Sequence, residues 1–147
     1  MAKKAEPALA SNALLSKLRG LIDAARQHVA QTANATLTML YWHVGQRIRR
    51  EFLKEGRSGY GEEILATLSQ ELAKDYGKGF NLSALTRMAK FAEVFPDEAI
   101  VVTLSRQLSW SHFIEILPLK QPLEREYYAE LCRVERWSVR TLRERIA

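Results

Sequence analysis

From Leu18 to Ile48 the apolar residues recur every three or four positions: Leu18, Ile22, Ala25, Val29, Ala33, Leu37, Leu40, Val44 and Ile48. That spacing marks one face of a helix, and no proline falls within it. A helix from about residue 12 to 54 would be about 65 Å long. A compact domain of 147 residues is only about 40 Å across. The segment is therefore expected either to break or to project and pack on a partner. Thr32-Ala-Asn-Ala-Thr36 is the expected break, because its side chains can cap a new start. The mean step of about 3.75 exceeds 3.6, so docking into a bundle or a dimer is expected rather than a regular left-handed heptad zipper.

The rest of the chain also reads as helices, so the expected fold is all-α. Residues 1–11 are small and polar and contain Pro7, and a disordered leader is expected there, with the helical domain spanning 12–147. Glu55-Gly-Arg-Ser-Gly-Tyr-Gly61 reads as a loop. Ile64, Leu65, Leu68 and Leu72 mark a helix ending near Tyr76. Gly77-Lys-Gly-Phe-Asn81 is the turn after it, with Asn81 or Ser83 capping the next helix. That helix carries Leu85, Met88, Ala89, Ala92 and Phe95, and Pro96 stops it. A short helix follows around Ala99–Leu104; Ser109 caps another, and Pro122 opens the next. Ser138 caps a last helix that ends without glycine or proline, the pattern of a domain cut from something longer.

Composition narrows the function. With 47% hydrophobic and 27% charged residues the chain can build a core. No apolar run is long enough to cross a membrane, and no apolar stretch of a secretory signal follows the N-terminus. Cys132 is the single cysteine, which excludes a disulfide scaffold and points to a reducing, cytoplasmic compartment. The net charge is +5. Residues 1–58 hold ten basic against four acidic residues, while 59–97 hold four against six. Such a basic segment suits a polyanion, though a solvated helix face carries charge of the same kind.

No constellation for catalysis emerges. His28, His43 and His112 fall at no metal-ligand spacing; they read as surface or cap residues. There is no phosphate-binding glycine loop and no nucleophile elbow. No acidic residue is followed two positions later by lysine, the short signature of a metal-dependent nuclease strand. Glu62-Glu63 suit the first turn of a helix. No catalytic residue, metal ligand or cofactor is expected. Trp42, Trp110 and Trp137 read as core and interface anchors.

The pattern that stands out is a helix–turn–helix-like unit from Glu62 to Phe95. On its second helix Ser83, Thr86, Arg87 and Lys90 lie at helical spacing, away from Leu85, Met88 and Phe91, with Lys78 in the turn before them. Arginine and lysine suit phosphate or guanine edges, and serine suits phosphate. An αα-hairpin with a merely solvated outer face has the same pattern, and the turn is longer than usual. A second basic group holds Arg47, Arg49, Arg50, Lys54 and Arg57, at the C-terminal end of the long helix. Cations there also suit the helix dipole.

A family likeness rests on Asn34, Tyr41-Trp-His-Val-Gly-Gln-Arg-Ile48, Gly59-Tyr-Gly61, Gly79-Phe80 and Arg87-Met88. It continues in Leu108-Ser-Trp-Ser-His112, Arg125-Glu-Tyr-Tyr128 and Trp137-Ser-Val-Arg-Thr-Leu142. From about residue 14 onward the chain resembles the N-terminal helical domain of YhcG-type bacterial proteins, formerly a domain of unknown function. The resemblance implies a helical module preceding a PDDEXK-type nuclease domain, which this chain does not include. Where that family carries Asn-Leu and an aromatic before Arg-Met, this chain has Ala84-Leu-Thr86, so contacts made by those residues do not carry over.

The expectation is a non-catalytic DNA-binding module, for duplex or branched DNA. Arg87, Lys90, Ser83 and Lys78 contact DNA near the turn, and Arg47, Arg50 and Arg57 contact phosphate, all on one converging surface. The alternative is an oligomerisation or protein-docking module without a nucleic-acid role, a homo-oligomer formed through the N-terminal helix.

Overall fold

A computed structural model describes the backbone of residues 5–53 and 58–147, and the side chains of 11–51 and 61–147. The fold is all-α: seven α-helices, and no strand among the described residues. They are α1 (Ala5–Ile48), α2 (Ser58–Tyr76), α3 (Leu82–Val94), α4 (Glu98–Ser105), α5 (Trp110–Ile116), α6 (Pro122–Glu135) and α7 (Val139–Ile146). A π-helical turn, Arg49–Leu53, continues α1, and a 3-10 turn, Lys78–Phe80, precedes α3.

Local punctuation explains most boundaries. Asn81 caps α3, its side chain accepting from the Ala84 amide at 2.9 Å. Asp97 caps α4, Ser109 caps α5 and Ser138 caps α7 in the same way. Pro122 opens α6, where its missing N–H costs nothing. Gly77 ends α2 at φ +92°, a conformation that favours glycine. Arg136 takes the corresponding left-handed position after α6 at φ +54°.

Three boundaries depart from expectation. The first helix starts at Ala5, inside the expected leader; Pro7 falls in its first turn, where proline is tolerated. It does not break at 32–36: α1 continues through them, and the Asn34 carbonyl there accepts from Thr38 Oγ1 at 2.9 Å. The expected glycine loop does not run to Gly61, because α2 begins at Ser58; its residues 55–57 lie outside the described residues. Glu62 and Glu63 are consequently the fifth and sixth residues of α2, not its first turn.

The chain divides into two compact units, Met1–Ala33 and Asn34–Ala147. Within the first, Leu14, Leu15, Leu18, Leu21, Ile22 and Val29 are all exposed, Leu21 at 68% and Val29 at 65%. Together with Ala25, which is also exposed, Leu15, Leu18, Ile22 and Val29 step by three and four in alternation. That is the heptad period that the longer series obscured.

The second unit holds the core. α3 is its central helix: Leu85, Met88 and Ala89 pack with Ile48 and Leu65. Phe91, Ala92 and Phe95 pack with Trp42, Val101, Phe113, Cys132 and Leu142. Phe91 meets Phe113 at 4.6 Å and Trp110 at 5.2 Å between ring centroids. On this stretch of α1 the buried face is Thr38, Trp42, Gly45 and Ile48. Leu37 and Leu40, expected on the buried stripe, are exposed instead. The reason is Gly45: a Cβ there would overlap the Met88 carbonyl, so glycine lets the α1 and α3 backbones touch and sets which face turns inward.

The family motifs do structural work at these crossings. Trp42 Nε1 donates to the Phe95 carbonyl at 2.7 Å, tying α1 to the end of α3. Tyr41 meets Trp110 and Phe80 ring to ring. Ser109 and His112 form a capping box, with His112 Nδ1 accepting from the Ser109 amide at 3.0 Å. The other ring nitrogen lies 2.7 Å from the Trp137 carbonyl, joining α5 to the loop before α7. Arg143 reinforces that joint, donating twice to Glu115 at 3.0 and 2.8 Å.

Candidate nucleic-acid interface

α3 buries Leu85, Met88, Ala89, Phe91 and Ala92 and turns its other side outward. Positions 83, 87 and 90 follow the i, i+4, i+7 rule, so Ser83, Arg87 and Lys90 share one stripe of that outer side. All three are exposed, as is Lys78 in the turn before them. Neither Arg87, Lys90 nor Lys78 forms an ion pair among the described residues. Their charge is therefore uncompensated by a fixed carboxylate partner. Glu93 leaves the stripe: it turns toward α1 and pairs with Arg49 at 3.4 Å. The Asn81 cap occupies the Ala84 amide, and the positive end of the α3 dipole sits beside Ser83.

The second basic group lies elsewhere. Gly45 marks the side of α1 that touches α3. Arg47 is about 200° round the helix from it, at 100° per residue, while Arg50 lies in the π-helical turn that follows. On α3, Ser83 and Lys90 face away from the contact with Gly45. Arg49 of this second group pairs with Glu93, three residues beyond Lys90 on α3. Arg47 is also partly engaged, 3.7 Å from Glu51. Arg50 is exposed without an ion pair among the described residues. Arg57 and Lys54 lie outside the described residues.

Sequence reasoning found the α3 stripe because helical spacing alone decides which residues share a face. It missed the turn beside it. Tyr76 ends α2 and is 71% exposed, with its ring 5.9 Å from Phe80 in an edge-to-face contact. The signal was available: Leu65, Ser69, Leu72 and Tyr76 form one stripe, and Tyr76 lies where that stripe runs past the packed core.

Other chemistry is thinly represented. Among the described residues no three of His, Cys, Asp and Glu come together as a metal could require. Burial pushes the Cys132 thiol up to about 11, the behaviour of an inert core thiol rather than a nucleophile. No helix of the described residues is long and apolar enough to cross a membrane.

Comparison with known proteins adds kinship. Residues 17–147 match the family described as the DUF1016 N-terminal domain. The chain is 28% identical, over 158 aligned positions, to a protein of Escherichia coli (strain K12) named "Putative nuclease YhcG". The match covers 86% of this chain and 42% of that relative, so the chain spans less than half of the relative's length. No solved structure matches the chain.

Proposed function

The chain belongs to the DUF1016 N-terminal domain family, and from that premise we propose that it is the DNA-binding, non-catalytic module of a nuclease. The observation that carries this reading is the α3 stripe, exposed cations on a rigid helix with no carboxylate partner among the described residues. Arg87, Lys90 and Lys78 contact phosphates, and Ser83 with the first-turn amides of α3 receives one more. The stripe is flat and short, and its charge recognises the backbone more than the base sequence. Arg47, Arg50 and Arg57 form a separate phosphate-contacting group. That group adds affinity where the DNA reaches it as well as the α3 stripe. The kinship with a protein named as a nuclease supports nucleic acid as the ligand.

Fluorescence anisotropy with labelled duplexes of unrelated sequence tests the reading. The chain binds each at low salt with similar affinity, and R87E/K90E removes binding to all of them. R140E on α7, where Arg140 pairs with Glu144 at 3.4 Å on an exposed surface, leaves it intact. Equal binding by the wild type and R87E/K90E would contradict the assignment.

A second reading holds alongside it, favoured by the exposed heptad stripe of α1. We infer self-association of residues 11–33 as a parallel pair. Leu15, Ile22 and Val29 take the positions where β-branched residues favour two strands, and Leu18 and Ala25 take the other core positions. A dimer would fix the spacing of two α3 helices on DNA.

A further inference from the structure

We propose that Tyr76 is a base-stacking residue, which gives the domain a preference for DNA with unpaired bases over intact duplex. The inference rests on the reading of the α3 stripe as a DNA surface and names which DNA that surface prefers.

Three features of the turn carry it. Tyr76 is the last residue of α2 and is 71% exposed, although it continues the inward stripe of Leu65, Ser69 and Leu72. A phenol ring left in water on an otherwise packed stripe keeps its face open to a ligand. The ring is also braced. Its edge-to-face contact with Phe80, at 5.9 Å, continues through Tyr41 at 6.3 Å and Trp110 at 5.2 Å to Phe91 in the core. A ring held this way loses little freedom when a base stacks on it. Finally, Lys78 follows two residues later and the capped start of α3 five residues later. A stacking surface and a cation thus lie in the turn that leads directly into the helix bearing Ser83, Arg87 and Lys90. That is the combination by which proteins hold single strands: a cationic path for the backbone and aromatic faces for the bases. In a closed duplex the base faces are occupied by their neighbours, so Tyr76 gains nothing there. At a gap, fork or junction an unpaired base is free to stack.

Dissociation constants are measured on the full chain, at low salt, for an intact duplex and for the same duplex carrying a short gap with 2-aminopurine in the unpaired stretch. The wild type binds the gapped DNA more tightly, and Y76A loses about 5- to 150-fold on that DNA alone, the span of one base–aromatic stack. Y76F and Y76W retain the preference and quench the 2-aminopurine on binding, whereas Y76A does not quench it. Y127A, which removes an exposed tyrosine of α6, changes neither affinity. If Y76A weakens both DNAs equally, or weakens neither, the stacking role is overturned while the DNA reading stands. If the wild type binds neither DNA, the underlying reading falls and the stacking role with it. Helicity of Y76A by circular dichroism confirms that the fold is unchanged, as expected for an exposed side chain.

Discussion

A methyl group added at Gly45 has nowhere to go, because the Met88 carbonyl of α3 already occupies its place. Gly45→Ala must push α1 and α3 apart, and overpacking of this kind costs roughly 1–3 kcal/mol. We expect a clearly lowered midpoint in urea or heat; an unchanged midpoint would mean the two helices do not cross there. His112 decides a second joint. Its ring accepts from Ser109 and meets the Trp137 carbonyl, so His112→Ala leaves two polar groups without a partner at a largely buried site. The loss should be about 1–3 kcal/mol, larger than the roughly 1 kcal/mol of Ser109→Ala, which removes the cap hydroxyl. The order of the two midpoints checks the assignment. Cys132 supplies a pH test. Its thiol is held near 11 in the fold and ionises near its ordinary 9.0 when unfolded. A raised acid favours the fold below the unfolded value, so stability is retained below about pH 9 and declines from there to about 11. A thiol reagent at pH 8 should leave the native chain unlabelled and label it in denaturant. Rapid native labelling would place the thiol at the surface.

At the scale of elements, what could be read in advance was what depends on neighbours in sequence. Asn81, Ser109 and Ser138 announced their helices, and Pro96 and Pro122 marked an end and a start, because capping and proline chemistry act within one turn. The stripe of Ser83, Arg87 and Lys90 was equally legible, since helical geometry alone groups it. The inward face of α1 was not. Apolar residues lie on two sides of residues 37–48, and a tertiary contact at Gly45 chose the face with Trp42 over the one with Leu37 and Leu40. A lone glycine inside a helical pattern was the available clue. The same mixing of faces hid the heptad within residues 15–29, because the long series averaged two segments with different roles. If that heptad pairs two copies, Ile22→Glu places a charge in the seam and shifts the chain to monomer in sedimentation at all concentrations tested, with helicity of the 34–147 unit kept. A wild-type chain that stays monomeric throughout would remove the second reading without touching the first.

For the molecule as a whole, the basic excess lies in residues 1–58, yet Lys78, Arg87 and Lys90, outside that stretch, form no ion pair among the described residues. Net charge alone therefore cannot say where a polyanion binds. The claim that remains central is that α3 grips the DNA backbone through Arg87 and Lys90. Its most direct measurement is the slope of log binding constant against log salt, for wild type and R87A/K90A on one duplex. Each phosphate contact contributes about 0.9 to the slope. The account predicts that the double variant binds more weakly and with a slope shallower by about 2. A wild-type affinity indifferent to salt, or an identical slope in the variant, would contradict it.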